Sequence, residues 1–120
     1  MRRKPPAGKR PSRVAELLRE SLGSILLFKC ADRRLQEITI TEVDMSPDLK
    51  QAKVYYVVRA GGDADEVAAA LDKALGFIKQ EVGRERILRT MPELIFLPDE
   101  AWERAERLEK LFQEMKHGKE

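Results

Sequence analysis

A pair of period-two runs on either side of a proline turn narrows the possible folds of this chain at once. Glu37-Ile38-Thr39-Ile40-Thr41-Glu42-Val43 alternates and is rich in β-branched residues, and Ala52 to Arg59 (Ala-Lys-Val-Tyr-Tyr-Val-Val-Arg) follows as a returning strand. Ser46-Pro47-Asp48 lies between them and sets proline where a type I turn needs its fixed φ, so the two runs predict a β-hairpin. Gly61-Gly62-Asp63 then reads as the turn that ends it.

Around the hairpin the apolar period changes to that of a helix. Val14, Leu17, Leu18, Leu22, Ile25 and Leu26 predict an amphipathic helix over about 13–28, with Ser12 as its N-cap and Gly23 as a point of close packing. From Ala64 to Arg89 the stripe is Val67, Leu71, Ala74, Ile78 and Val82; the glycine at 76 divides it into two predicted helices, 64–74 and 77–89, meeting at Ala74-Leu75-Gly76. Pro92 blocks further helix, and Leu94-Ile95-Phe96-Leu97 predicts a short strand buried on both faces. Pro98-Asp99 opens a last helix with Trp102, Ala105, Leu108, Leu111, Phe112 and Met115 at helical spacing. The order α-β-β-α-α-β-α, with helices able to cover one face of three strands, makes this an α+β protein of two layers.

At 120 residues the chain suits one domain. Residues 1–11 hold Pro5, Pro6, Gly8 and Pro11 among cations and predict a flexible basic arm; 12–116 form the domain and 117–120 a tail. No apolar run approaches the roughly 20 residues of a membrane span, and no leader or lipidation motif opens the chain. Cys30, the sole cysteine, can form no internal disulfide and suits a reducing cytoplasm as a small buried hydrophobe. His117, the sole histidine, lies in the tail, so a histidine-dependent triad is excluded and no metal or cofactor site is expected. Asp63 with Asp65 and Asp99 with Glu100 stand at predicted helix starts, where acids serve as caps. An enzyme is not expected.

The positive signal is in the cations. Charged residues make up 37% of the chain against roughly 25% in ordinary domains. The net charge of +2 hides a polarised distribution, since residues 1–13 carry Arg2, Arg3, Lys4, Lys9, Arg10 and Arg13 with no acid. Lys50, Lys53 and Arg59 lie on the hairpin, and Lys73, Lys79, Arg84, Arg86 and Arg89 populate the two middle helices. Phosphates dominate nucleic-acid affinity, so Arg13, Lys50, Lys53, Lys73, Lys79, Arg84, Arg86 and Arg89 are candidate nucleic-acid contacts. Solvated helix faces with interspersed acids such as Glu81 and Glu85 are the competing explanation. Most aromatic residues are expected in the core, although Tyr55 and Tyr56 must face opposite sides of their strand and one could stack on a base.

Three segments carry a resemblance. Ser46-Pro47-Asp48-Leu49-Lys50-Gln51-Ala52-Lys53-Val54-Tyr55 is similar to the hairpin signature of ribosome-binding factor A. Met91-Pro92-Glu93-Leu94-Ile95-Phe96-Leu97-Pro98-Asp99 is similar to its Pro-Glu-Leu-x-Phe-x-x-Asp segment, and Ala74-Leu75-Gly76 to its Ala-x-Gly interhelical kink. Arg13-Val14 and the Leu-rich helix fit its opening, so about residues 12–112 are covered. The resemblance implies a type II KH-like fold, α-β-β-α-kink-α-β with a C-terminal helix, and a mixed three-stranded sheet whose third strand is parallel to the first. It further implies a monomeric partner of the free small (30S) ribosomal subunit and its 16S rRNA, acting in late maturation near the 5′-terminal helix and in cold adaptation.

Two other functions compete. A helix-turn-helix DNA-binding regulator could be built from the two middle helices, though the flanking strands oppose it. A protein-interaction module could use Trp102, Leu108 and Phe112, a stripe more simply read as packed on its own domain.

Overall fold

A computed structural model describes the backbone of residues 9–118 and the side chains of 13–116. Helix α1 (Lys9–Ser24) runs into a π-helical turn, Ile25–Lys29. A 3₁₀ turn (Arg33–Glu37) leads to β1 (Ile38–Met45) and β2 (Gln51–Val58), followed by α2 (Ala64–Arg84), β3 (Glu93–Pro98) and α3 (Glu100–Gly118). The α+β class and the mixed three-stranded sheet stand as expected.

Ser12 is inside α1 rather than capping it, because the helix already begins at Lys9. Pro11 is tolerated there because the first helical turn has no intrahelical partner for its N–H groups. The expected arm therefore loses residues 9–11 to the helix, and 1–8 lie outside the described residues. Gly23 is not a close contact either, since a Cβ there would meet nothing within 4 Å.

The hairpin turn shows why its residues are specific. Leu49 N–H donates to Ser46 O at 2.9 Å, closing a turn with Pro47 at its second position. The Ser46 hydroxyl accepts from the N–H groups of Lys50 and Gln51 and donates to Asp48. Leu49 has φ 62 and still packs against the core, a left-handed leucine held by the hydrogen bonds around it. After β2, Gly61 adopts φ 94 at the third position of a turn closed by Gly62 N–H to Arg59 O, a conformation that favours glycine.

The core lies between the sheet and two helices. Leu18, Leu22, Ile25 and Leu26 enter from α1 and its π turn, and Val67, Leu71, Ile78 and Val82 from α2. They meet Ile38, Ile40, Val43, Val54 and Tyr56 of the sheet, with Cys30 buried at the margin. Each large side chain so buried stabilises the fold by about 1.5–3 kcal/mol. Asp63 caps α2, its side chain accepting from Asp65 N–H and Glu66 N–H, which is what the paired acids are for.

Further expectations need correction. First, the kink at Ala74-Leu75-Gly76 does not divide two helices: α2 is one helix from Ala64 to Arg84. Val67, Leu71, Ile78 and Val82 are buried on both sides of Gly76, so the core-facing stripe passes the glycine without a phase change. A Cβ on Gly76 would meet nothing within 4 Å. Gly76→Ala should therefore stabilise the protein by about 0.5–1 kcal/mol. A thermal midpoint raised by a few degrees checks this; a lowered one would restore a strained backbone at that step.

Second, β3 is parallel to its neighbour β2, pairing Gln51 with Glu93 through Tyr56 with Pro98, and so runs against β1 rather than with it. The crossover through α2 returns the chain to the starting end of β2, and a strand reached that way lies parallel to the one it left. Third, β3 is an edge strand buried on one face: Leu94 is buried, while Ile95 and Leu97 on the opposite face are half-buried. The helices cover one side of the sheet only.

Fourth, the apolar stripe of α3 is not packed on the domain. Trp102, Leu108 and Phe112 are 48%, 51% and 63% exposed. The start of the helix is fixed by Asp99, whose N–H donates to Tyr56 O at the end of β2. From there α3 runs beyond the sheet, and the molecule measures 58 × 36 × 19 Å. Phe28 and Phe77 are exposed as well, so the expectation that most aromatics are buried fails.

Candidate nucleic-acid interface

At one end of the molecule three segments distant in sequence converge on an open groove of about 840 Å³: the start of α1, the β1–β2 turn and the loop from α2 to β3. Val14, Leu49, Ile87 and Met91 give it an apolar floor, and Lys50, Arg86 and Arg89 line it with cations. All three cations are exposed. Arg13, also exposed, immediately precedes Val14 at the rim.

The loop owes its shape to the end of α2. Glu85 caps the helix and Arg86 follows with φ 55, its N–H donating to Gly83 O at 3.3 Å. This is the left-handed position that glycine commonly fills after a helix, and a side chain there is strained by about 1 kcal/mol. The strain sets an arginine where a glycine would be more stable. Arg86→Gly should thus raise stability by about 0.5–1 kcal/mol while weakening any ligand that the groove holds by charge. Thermal melting beside a binding titration checks the pair of signs; a less stable variant would show that Arg86 packs rather than presents charge.

One anion shares the groove. Asp48 receives hydrogen bonds from the Ser46 hydroxyl and Lys50 N–H, which hold its carboxyl below the usual carboxylate range. It therefore stays charged beside Lys50 and orients the turn.

The remaining sequence candidates are not brought together here. Arg84 and Arg89 were expected on one helix; Arg84 ends α2, whereas Arg86 and Arg89 belong to the loop. Arg84 lies 3.9 Å from the buried Glu81, which also pairs with Lys29 at 3.3 Å. Lys73 lies about 15 Å along α2 from Gly83. Its charge acts instead on Asp32, whose carboxyl is held at about 2, chiefly by the Arg34 side chain and least by Lys73. Lys79 is half-buried in mid-helix and is not part of the groove wall. Lys53 stands opposite Asp44 on the sheet face away from the helices. Tyr55 shares that face and is half-buried, while Tyr56 is in the core.

One motif residue whose choice spacing alone does not explain is anchored at the other end of the sheet. Asp99 is 3% exposed; its carboxylate accepts from the Thr41 hydroxyl and, at 3.0 Å, from Trp102 N–H. Thr41 sits at the bulge between Ile40 and Glu42. The acid that closes the Pro-Glu-Leu-x-Phe-x-x-Asp segment is therefore a structural staple joining β1 to the start of α3.

Comparison with known proteins decides the family. The model of the family "Ribosome-binding factor A" matches residues 10–112. The chain belongs to the ribosome-binding factor A family. The family member of Coxiella burnetii (strain Dugway 5J108-111) is 40% identical over 104 residues, covering 87% of each chain. That of Staphylococcus epidermidis is 40% identical over 107 residues, covering 88% of this chain and 92% of its own. The crystal structure of ribosome-binding factor A from Thermus thermophilus shares the fold at TM-score 0.67 and 23% identity, over 75% of this chain and 97% of its own. A Thermus thermophilus ribosome-binding factor A model, fitted into the cryo-EM map of a 30S complex, matches at TM-score 0.60 and 26% identity, over 72% and 91%.

Proposed function

We infer that this chain is a ribosome-binding factor that docks on the free 30S subunit and grips 16S rRNA phosphates in the groove of Lys50, Arg86 and Arg89. The observation that carries this reading is the convergence of those three cations, from segments 36 residues apart, in a member of this family. The 30S complex of the Thermus thermophilus relative supports the choice of partner.

The finer reading is that the protein works as a cytoplasmic monomer without a cofactor. It assists late processing of 16S rRNA near the 5′-terminal helix, including in the cold. Arg13 extends the same electrostatic field and speeds encounter, while Lys53, Lys73, Lys79 and Arg84 add at most long-range attraction. The helix-turn-helix alternative finds no support in a chain whose α2 is unbroken and is followed by a loop and a strand.

Sedimentation of a cell extract tests the partner. The protein should travel with free small subunits and leave them as salt rises, because displaced counterions drive phosphate binding. Co-migration with assembled ribosomes only, or retention unaffected by salt, would overturn the reading.

A further inference from the structure

The exposed edge of β3 faces a second groove that shares no residue with the basic one. In a parallel ladder alternate residues direct both backbone groups to the same neighbour. Glu93 N–H donates to Lys50 O at 2.9 Å and Asp99 N–H to Tyr56 O at 2.7 Å, so the odd-numbered residues of β3 face β2. Leu94 and Phe96 therefore turn their N–H and C=O groups outward, in two sets roughly 6.6 Å apart along the strand. No hydrogen bond among the described residues reaches them.

Beside this edge α2 presents Ala68, Leu71, Asp72 and Leu75, one face at helical spacing, and a groove of about 320 Å³ lies between the helix and the strand. The other edge of the sheet is protected differently. β1 carries a bulge between Ile40 and Glu42, a device that twists an edge away from further pairing. β3 has none, and only Pro98 blunts its far end.

We propose that the groove between β3 and α2 is a docking site for an extended, basic polypeptide segment of a partner protein, added to the sheet as a fourth strand on Leu94 and Phe96. An incoming strand satisfies the four outward backbone groups and drops alternate side chains against Leu71, Leu75 and Phe96. The sign of its charge follows from the groove. Its charged lining residues, among those described, are the acids Asp72 on the helix and Glu93 on the edge strand, both exposed, with Glu93 also accepting from Gln51 Nε2 at 3.4 Å on the open face of the sheet, and no described lysine or arginine lines it. Such a wall repels a phosphodiester backbone and attracts lysine or arginine. Binding here is independent of whether the cationic groove engages rRNA.

The test uses the full chain and an acetylated, amidated octapeptide of alternating lysine and valine. In the free protein, the amides of Leu94 and Phe96 should exchange with solvent much faster than those of Ile95 and Leu97. Adding the peptide should slow Leu94 and Phe96 by at least about tenfold, while the same peptide N-methylated at every second residue should have no effect. Asp72→Lys combined with Glu93→Lys, both at exposed positions, should weaken the unmethylated peptide by about tenfold. Should that double variant not fold, the contrast between the two peptides decides alone. Leu94 and Phe96 amides already protected in the free protein, or unaltered by the peptide, would overturn the proposal. Oligouridylate slowing the same amides, and binding more tightly to the charge-reversed double variant than to the parent, would assign the groove to RNA instead.

Discussion

Replacing Lys50, Arg86 and Arg89 together by glutamate should lower affinity for isolated 30S subunits by about a hundredfold or more and leave the domain folded. Each phosphate that a cation neutralises releases counterions, and the logarithm of affinity falls with the logarithm of salt at about 0.7–0.9 per contact. Removing three contacts should flatten that slope by about two to three, and the three new anions add repulsion. All three residues are exposed, and Arg86 leaves a strained backbone position only if glycine replaces it, so the glutamates cost little stability. A matched triple variant at Lys53, Lys73 and Lys79 carries the same change of charge outside the groove and should lose far less. Binding titrations at four salt concentrations separate the two; equal losses would mean that net charge acts, and that the groove does not.

The second large effect is on stability. Asp99→Ala removes the acceptor of the Thr41 hydroxyl and of Trp102 N–H in one step. Loss of a helix cap costs about 0.5–2 kcal/mol, and a buried hydrogen bond to a charged group about 1.5–3. Thr41 keeps a second acceptor in Tyr55 O, which reduces the penalty. A net loss of about 2–4 kcal/mol follows, lowering the thermal midpoint by roughly 10–20 °C for a domain of this size. Asp99→Asn keeps the size and one acceptor and should lose about half as much. Since Asp99 caps the start of α3, proteolysis between Glu100 and Lys116 should accelerate in the alanine variant before the core melts. An alanine variant as stable as the parent would show that Asp99 holds nothing together.

These residues also mark what the sequence makes legible. The hairpin is plain in its alternation, and Ser46, Asp48 and the turn proline do locally what their chemistry suggests. The caps Asp63 and Asp99 are equally local. The kink fails because one glycine is a weak local signal, whereas the stripe of Val67, Leu71, Ile78 and Val82 is a tertiary one and passes straight through it. The partner of β3 depends on where a crossover lands, which no short-range pattern encodes. Cations can be counted from the sequence, yet the meeting of Lys50 with Arg86 and Arg89 requires the fold. The left-handed Arg86 leaves no trace in the sequence, because the usual residue at such a position is glycine and its absence reads as continuing helix. Periodicity shows that α3 has an apolar face and is silent on what covers it.

The most direct test is a photo-cross-link from the groove itself. A photoreactive residue in place of Ile87, which lines the groove between Arg86 and Arg89, is to be activated in the complex with purified 30S subunits. Adducts should form on 16S rRNA, clustered near its 5′-terminal helix, and disappear at high salt together with binding. Efficient binding with adducts confined to ribosomal proteins, or with none from position 87, would contradict the assignment of the Lys50, Arg86 and Arg89 groove as the RNA grip.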